Sequence, residues 1–280
     1  MNFHSDEWIM DRVREHYNEA LEYFPEDRIV GIFLQGSQNY GLDTEGSDID
    51  TKLIVVPTFD DLAFNRQPVS TTHVRANNEH IDFKDIRLML QTFRKHNLNF
   101  IEILFTPYYI LNPIYADLWN TLIENREVIA RSNPIAAIKS IKGIALEKFH
   151  ALEHRYPSKI EVLDKYSFDP KQLHHLIRVR LFLKSFIAGK SYLDCINPGK
   201  NCNWLKRVKN EPEYLNIDLG NARILANVTK TNIENDCEKY LQNFTKEEVE
   251  KSEGFKLTEQ YLDSVQYEIM KIAIKKELEK

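Results

Sequence analysis

The stretch from Ile29 to Pro57 does most to limit what this chain can become. It opens on a short apolar run rich in branched and aromatic residues, Ile29 to Leu34 (IVGIFL), which suits a buried strand. A turn-rich segment follows, carrying Gly36, Ser37, Asn39, Gly41, Asp43 and Gly46. Asp48 to Val56 (DIDTKLIVV) then alternates polar and apolar before becoming continuously apolar, and Pro57 stops it. The second strand therefore has a first half that faces something polar.

Other segments read around that frame. Residues 6 to 24 place Trp8, Ile9, Val13, Tyr17, Ala20, Leu21 and Phe24 at helical spacing and end before Pro25. Val69 to Arg87 is harder to read, but His80 to Asp85 (HIDFKD) alternates and predicts a third strand. Helices are expected at about 86–96, 98–105 and 114–130, then at 134–154, 170–188 and 257–278. The segment from Gly199 to Gly220 is loop-like and Asn243 to Gly254 is charge-rich. The expectation is an α+β fold: a small mixed sheet with helices in residues 1–110, and a helical region in 111–280, the boundary lying between Pro107 and Pro134.

Charge narrows the range of partners. The net charge is −5, whereas a protein that neutralises many phosphates of a long nucleic acid carries a basic excess. Any polynucleotide contact is therefore expected to be local, at an end or on a small folded RNA. No apolar run approaches the roughly 18 to 20 residues of a membrane span, so no membrane partner is expected. The acidic, charged N-terminus lacks the apolar stretch of a secretory signal, which makes the cytoplasm the expected location. Cys195, Cys202 and Cys237 are odd in number, fit neither a disulfide framework nor a zinc ribbon, and are expected to be reduced.

Asp48 and Asp50 stand two apart on a strand, so their side chains leave the same face while Ile49 turns to the core. Adjacent carboxylates repel unless a cation or proton intervenes. Hard oxygen ligands of this kind suit Mg²⁺, which takes one or two carboxylates, several waters and substrate phosphate oxygens. Gly36 and Ser37 supply the complementary half. Glycine lets a phosphate approach the backbone, and N–H groups at a helix start, with a serine hydroxyl, donate to phosphate oxygens. Either motif alone is common; their order and spacing make the combination informative.

Gly36-Ser37, Asn39-Tyr40-Gly41 and Ser47-Asp48-Ile49-Asp50 together resemble the signature of the DNA polymerase β nucleotidyltransferase superfamily. The fuller stretch GSQNYGLDTEGSDIDTKLIVVP is similar to a branch of predicted bacterial and phage nucleotidyltransferases grouped with RlaP and linked to RNA repair. His80 to Arg87, Asn99 to Phe105, and Asp169-Pro170-Lys171 with His175 to Arg178 extend the resemblance over residues 25 to 190. It implies a polymerase-β-like core that binds an NTP such as ATP with two Mg²⁺ (or Mn²⁺) ions. Gly36 and Ser37 would contact the phosphates, and Asp48, Asp50 and a third-strand carboxylate would be catalytic and hold the metals. Asp82 fits the third place because it lies on the polar face of its strand; Asp85 and Glu79 are its competitors.

Asp169 and Pro170 predict a helix start. Lys171, His174, His175 and Arg178 then fall within about 100° of arc. This basic face, with Lys171, His175 and Arg178 as nucleotide-binding candidates, suits a lid over triphosphate; a plain surface helix is the alternative. Lys200 to Lys209 places Lys200, Lys206, Arg207 and Lys209 around Trp204 and reads as an exposed basic loop with a packed tryptophan, a local nucleic-acid contact through charge and stacking being the alternative. The expected reaction is transfer of an NMP to an acceptor hydroxyl, with an RNA 3′ end favoured on resemblance. The alternatives are a small-molecule or protein acceptor, or a nucleotide-sensing module without catalysis.

Overall fold

In the computed structural model, which describes residues 2–279, the expected strands β1 (Ile29–Gln35) and β2 (Asp50–Val55) pair antiparallel, Gln35 lying opposite Asp50. β3 (Ser70–Val74) pairs antiparallel with β4 (His80–Asp85), and β4 runs parallel to β2 with His80 opposite Asp50 and Asp82 opposite Lys52. β5 (Tyr109–Leu111) adds antiparallel to β1, giving a mixed sheet of order β3-β4-β2-β1-β5. β1 can approach β5 closely because it carries Gly31, where an added Cβ would stand 2.8 Å from the Ile110 carbonyl oxygen. β3 and β5 were not expected. β3 reads STTHV, is mostly exposed, and gains its place by pairing its backbone with β4. β5 is only three residues long.

The two faces of the sheet are covered differently. Helix α1 (Asp6–Ala20) starts at the Ser5 N-cap and lays Ile9, Val13 and Ala20 against Leu34, Ile49, Leu53, Ile81 and Phe83. It ends four residues short of the expected Phe24, in a hydrogen-bonded turn that reaches Pro25. α2 (Phe59–Ala63), α3 (Ile86–Arg94), α4 (Leu98–Ile101), α5 (Ala116–Glu124) and α6 (Arg126–Arg131) follow. On the other face Trp119 of α5 packs its ring centroid 5.0 Å from Phe33 and 6.2 Å from Phe93.

From Pro134 the chain is helical: α7 (Pro134–Ala151), α8 (Ile160–Tyr166), α9 (Pro170–Ile187), α10 (Tyr192–Ile196), α11 (Cys202–Asn210), α12 (Leu219–Leu241), α13 (Lys246–Lys251) and α14 (Glu253–Leu278). The region 199–220 is not the loop its composition suggests. α11 lies within it, burying Leu205 and Val208 one turn apart. In α12 the buried residues are mostly small, Ala222, Ala226, Thr229, Ile233 and Cys237 at helical spacing, so its inner face shows in residue size more than in hydropathy.

By its contacts the chain forms two compact units. The first takes the residues up to Asn39, Asp43–Asn133 and the chain from Glu250 on; the second takes Tyr40–Leu42 and Pro134–Val249. Residue 110 thus lies inside the first unit, and α14 belongs with the sheet, packing on α3, α5 and α6. There Arg94 binds Glu259 at 2.9 Å and Asp263 at 2.5 Å, and Glu277 accepts the Phe59 N–H. All three cysteines are free thiols. Among the described residues no helix is long and apolar enough to cross a membrane.

Candidate functional site

At one end of the sheet, the last residue of β1 meets the first residues of β2 and β4. β1 gives way to Gly36, whose φ of +114° is open to glycine and strained for other residues. The turn Ser37–Tyr40 follows. Asn39 ties it down: its side-chain amide donates to the Leu34 carbonyl and its oxygen accepts the Thr106 hydroxyl at 2.6 Å. Gln38 reaches across, Nε2 donating to the Asp48 carbonyl at 2.9 Å. The chain returns through a tight turn in which the Ser47 hydroxyl accepts the Thr44 N–H at 2.8 Å. Gly36-Ser37 and Asp48-Ile49-Asp50 therefore occupy the same sheet end, joined by one hydrogen bond and by the Gln35–Asp50 pairing.

β2 begins at Asp50, so Asp48 and Ile49 lie just before it and not on the strand expected to start at Asp48. Ile49 is fully buried towards α1, Asp48 is exposed and Asp50 half-exposed. Asp50 Oδ1 accepts from the His80 N–H and lies 3.1 Å from His80 Nδ1. Burial, and after it the charge of Asp48, push the Asp50 carboxyl above its ordinary value, against the pull of His80. This is a carboxylate with less positive charge around it than it would take, the condition a divalent cation relieves.

Asp82 lies on the same face, one rung further along the parallel pair, and its side chain is 35% exposed. Its Oδ2 lies 3.0 Å from Lys52 Nζ and its Oδ1 accepts the Thr72 hydroxyl at 2.6 Å. Burial alone would raise it, but Lys52 and Thr72 outweigh that and hold it below its ordinary value. Glu79 and Asp85 differ in kind. Glu79 turns to the α1 side, where Oε1 accepts the Ile49 N–H at 3.2 Å and Oε2 meets Arg12, His16, Arg75 and Asn77. Those partners, led by His16, overcome burial and hold its carboxyl far below the usual range. Asp85 caps α3 and is held by the Arg87 guanidinium, 2.7 Å from its Oδ2. Of the three, Asp82 alone shares the face of Asp50 and keeps exposure.

The donor set fits Mg²⁺ in part. Asp48 and Asp50 are oxygen donors of the right hardness, and the Asp50 carboxyl is raised by burial and by the charge of Asp48. Among the described residues no three His, Cys, Asp or Glu side chains already converge as a metal cage. An ion here needs outside oxygens, as Mg²⁺ at phosphates does.

In the second unit, Asp169 caps α9 by accepting the Lys171 N–H at 2.8 Å. Lys171 is exposed, but the face around it is not uniformly basic. His174 is buried with Nδ1 2.9 Å from the Leu205 carbonyl oxygen, and burial lowers it to about 4. Desolvation, and the neighbouring His174, Arg178, Lys171 and Lys148, push His175 well below its ordinary value, so it is neutral at pH 7. Arg178 is buried with its guanidinium carbon 4.1 Å from the centroid of Tyr40, the last residue of the turn that Ser37 opens. The charge of this face comes from Lys171 and Arg178. In α11, Trp204 is 38% exposed while Leu205 and Val208 are buried, so Lys206, Arg207 and Lys209 stand on a helix and not on the expected loop, with Lys200 in the turn before it.

Sequence reasoning passed over Gln38, Lys52, Glu79's structural role and His80. Lys52 was open to notice: a lysine on a strand's polar register, inside an otherwise apolar run, must find an acid.

No protein-family model matches this sequence, and no curated protein matches it. Among solved structures the chain is similar to a nucleotidyltransferase-like protein from Exiguobacterium sibiricum at 15% identity. That match covers 92% of this chain and 89% of the other, with a TM-score of 0.31. So distant a superposition adds no weight to the chemistry, and the site stands on its own geometry.

Proposed function

We propose that this chain is a metal-dependent nucleotidyltransferase that moves an NMP from an NTP, such as ATP, to an acceptor hydroxyl and releases pyrophosphate. One observation carries the reading: the glycine-serine turn and the neighbouring carboxylates of Asp48 and Asp50 share one sheet end, bridged by Gln38. Gly36 and Ser37 bind phosphate oxygens through backbone N–H groups and the serine hydroxyl. Asp48 and Asp50, with Asp82 as third carboxylate, hold Mg²⁺ or Mn²⁺, two ions in the full assembly. When bound, such ions neutralise charge on the attacking and leaving oxygens of an in-line displacement. In the second unit, Lys171, His175 and Arg178 are the further nucleotide-binding candidates that the resemblance implies, two of them cations and His175 a neutral ring.

The acceptor in this reading is an RNA 3′ end, a choice that rests on the resemblance to the RlaP-like branch and fits an acidic protein only if the contact is local. A cytoplasmic setting goes with it. The same chemistry on a small molecule or a protein hydroxyl is separated by incubation with labelled NTPs and a panel of RNA, aminoglycoside and protein acceptors. Asp48→Ala and Asp50→Ala are each expected to abolish ion-dependent pyrophosphate release while leaving the circular dichroism spectrum unchanged. Wild-type protein that releases no pyrophosphate with any NTP and acceptor would favour a nucleotide-sensing module, the reading that the engagement of Asp82 by Lys52 and Thr72 keeps in play.

A further inference from the structure

The two rungs of the β2–β4 pair treat their acids differently. Asp50 faces His80, whereas Asp82 faces a lysine whose side chain is only 3% exposed. Lys52 Nζ lies 3.0 Å from Asp82 Oδ2 and 4.2 Å from the centroid of the Phe100 ring. Lys84 Nζ lies 5.4 Å from the same ring and donates to the Ser70 hydroxyl at 2.7 Å. The other oxygen of Asp82 is taken by Thr72. An ammonium this far from water persists only where an anion and a π-face replace its hydration. Its anion here is the one β4 carboxylate left exposed on the face of Asp50.

We infer that Lys52 is a built-in counter-cation at Asp82, so that the chain without nucleotide binds one divalent ion at Asp48 and Asp50 and admits a second only when Lys52 is displaced. The inference rests on the nucleotidyl-transfer reading only in taking Asp48 and Asp50 as ligands of the first ion. Substrate-free protein is then a one-ion protein, and Lys52 is a positioning residue that sets how tightly the second ion binds. Removing a cation would increase cation uptake, an effect that a lysine serving stability alone would not produce.

The test is Mn²⁺ titration of the 280-residue chain without nucleotide, free ion being read by electron paramagnetic resonance, with thermal melts to confirm folding. Wild type is expected to bind one ion, Asp50→Asn to lose it, and Asp82→Asn to keep it. Lys52→Met and Lys52→Gln are expected to bind two, the second about tenfold or more tighter than any second ion in wild type. Lys52→Met/Asp82→Asn should return to one. Two equal ions in wild type, loss of the wild-type ion on Asp82→Asn, unchanged binding in folded Lys52 variants, or a second ion that survives in the double variant would each overturn the inference. Pyrophosphate release separates it from the reading beneath it. An extra ion that depends on Asp82, in a chain that releases no pyrophosphate, upholds the counter-cation and ends nucleotidyl transfer; release with no change in ion number does the reverse.

Discussion

The α1 side and the open side of the β2–β4 pair hold carboxylates in opposite condition. Glu79, on the α1 side, is 7% exposed, meets Arg12, His16, Arg75 and Asn77, and is driven far below its ordinary value. Asp50, on the open side, has His80 and a repelling Asp48, and is driven above its own. The strands between them are the same. What differs is the neighbour: a helix bearing Arg12 and His16 against an exposed end. Glu79 is spent on structure, since it pins the backbone between Asp48 and Asp50 through the Ile49 N–H, while His16 holds the next residue through Thr51 Oγ1 at 3.0 Å. The open side keeps its charge for something that arrives.

The contrast places the largest effect on activity, from the open side. Asp50→Ala should lower the rate of pyrophosphate release by about a thousandfold or more. Asp50→Asn should lose activity likewise but melt higher than wild type at pH 7. Because the folded pKa of Asp50 stands above the ordinary one, its contribution is fully present below the ordinary value and lost as pH rises through the raised one. A melting point lowered at pH 7 would break the comparison.

Next in size is the α1 side. Glu79→Gln should cost about 3 kcal/mol in denaturant unfolding at pH 7, since it removes the buried counter-charge that Arg12, Arg75 and His16 share, leaving Arg12 with Glu15 and Arg75 with Glu19. Here the sign is opposite: a depressed carboxyl stabilises above the ordinary value of 4.5 and loses that contribution as pH falls towards the folded value. The gap between wild type and Glu79→Gln should therefore narrow between pH 6 and pH 3; a constant gap would show that its charge is not what counts.

Gly36→Ala should cost about 1–3 kcal/mol from its φ of +114°, and raise the KM for NTP more than it lowers kcat. Thr51→Val comes last, at about 1 kcal/mol for the buried bond to His16, with the rate nearly unchanged. A rate that falls with Thr51→Val would show the α1 side reaching further into the chemistry.

Much of this was legible in the chain. Period two placed Asp50 at the polar start of its strand and Asp82 on the polar face of His80 to Asp85, whereas Asp48 lies in the turn before β2, near enough for its charge to act on Asp50. What escaped has identifiable physical causes. β3 has no apolar alternation, because its partner is a backbone edge; the turn residues Asn77 and Asn78, the latter at φ +66°, were its only local sign. Glu79 sits one residue before a strand, and its role depends on Arg12 and His16, far away in sequence. On α9 the spacing of basic residues was read correctly as an arc, but spacing does not reveal that the Leu205 carbonyl draws His174 inward or that His175 is desolvated. The membership of α14 in the sheet unit is likewise a matter of contacts between distant residues.

That last feature bears on how the molecule is made. The sheet unit needs Glu253–Leu278 to complete it, yet Pro134–Val249, all of the second unit but Tyr40–Leu42, is translated in between. A nascent chain must keep the half-built sheet soluble while α7 to α13 emerge, and a ribosome stalled anywhere in that interval would hold the exposed flanks of α3, α5 and α6 without their cover.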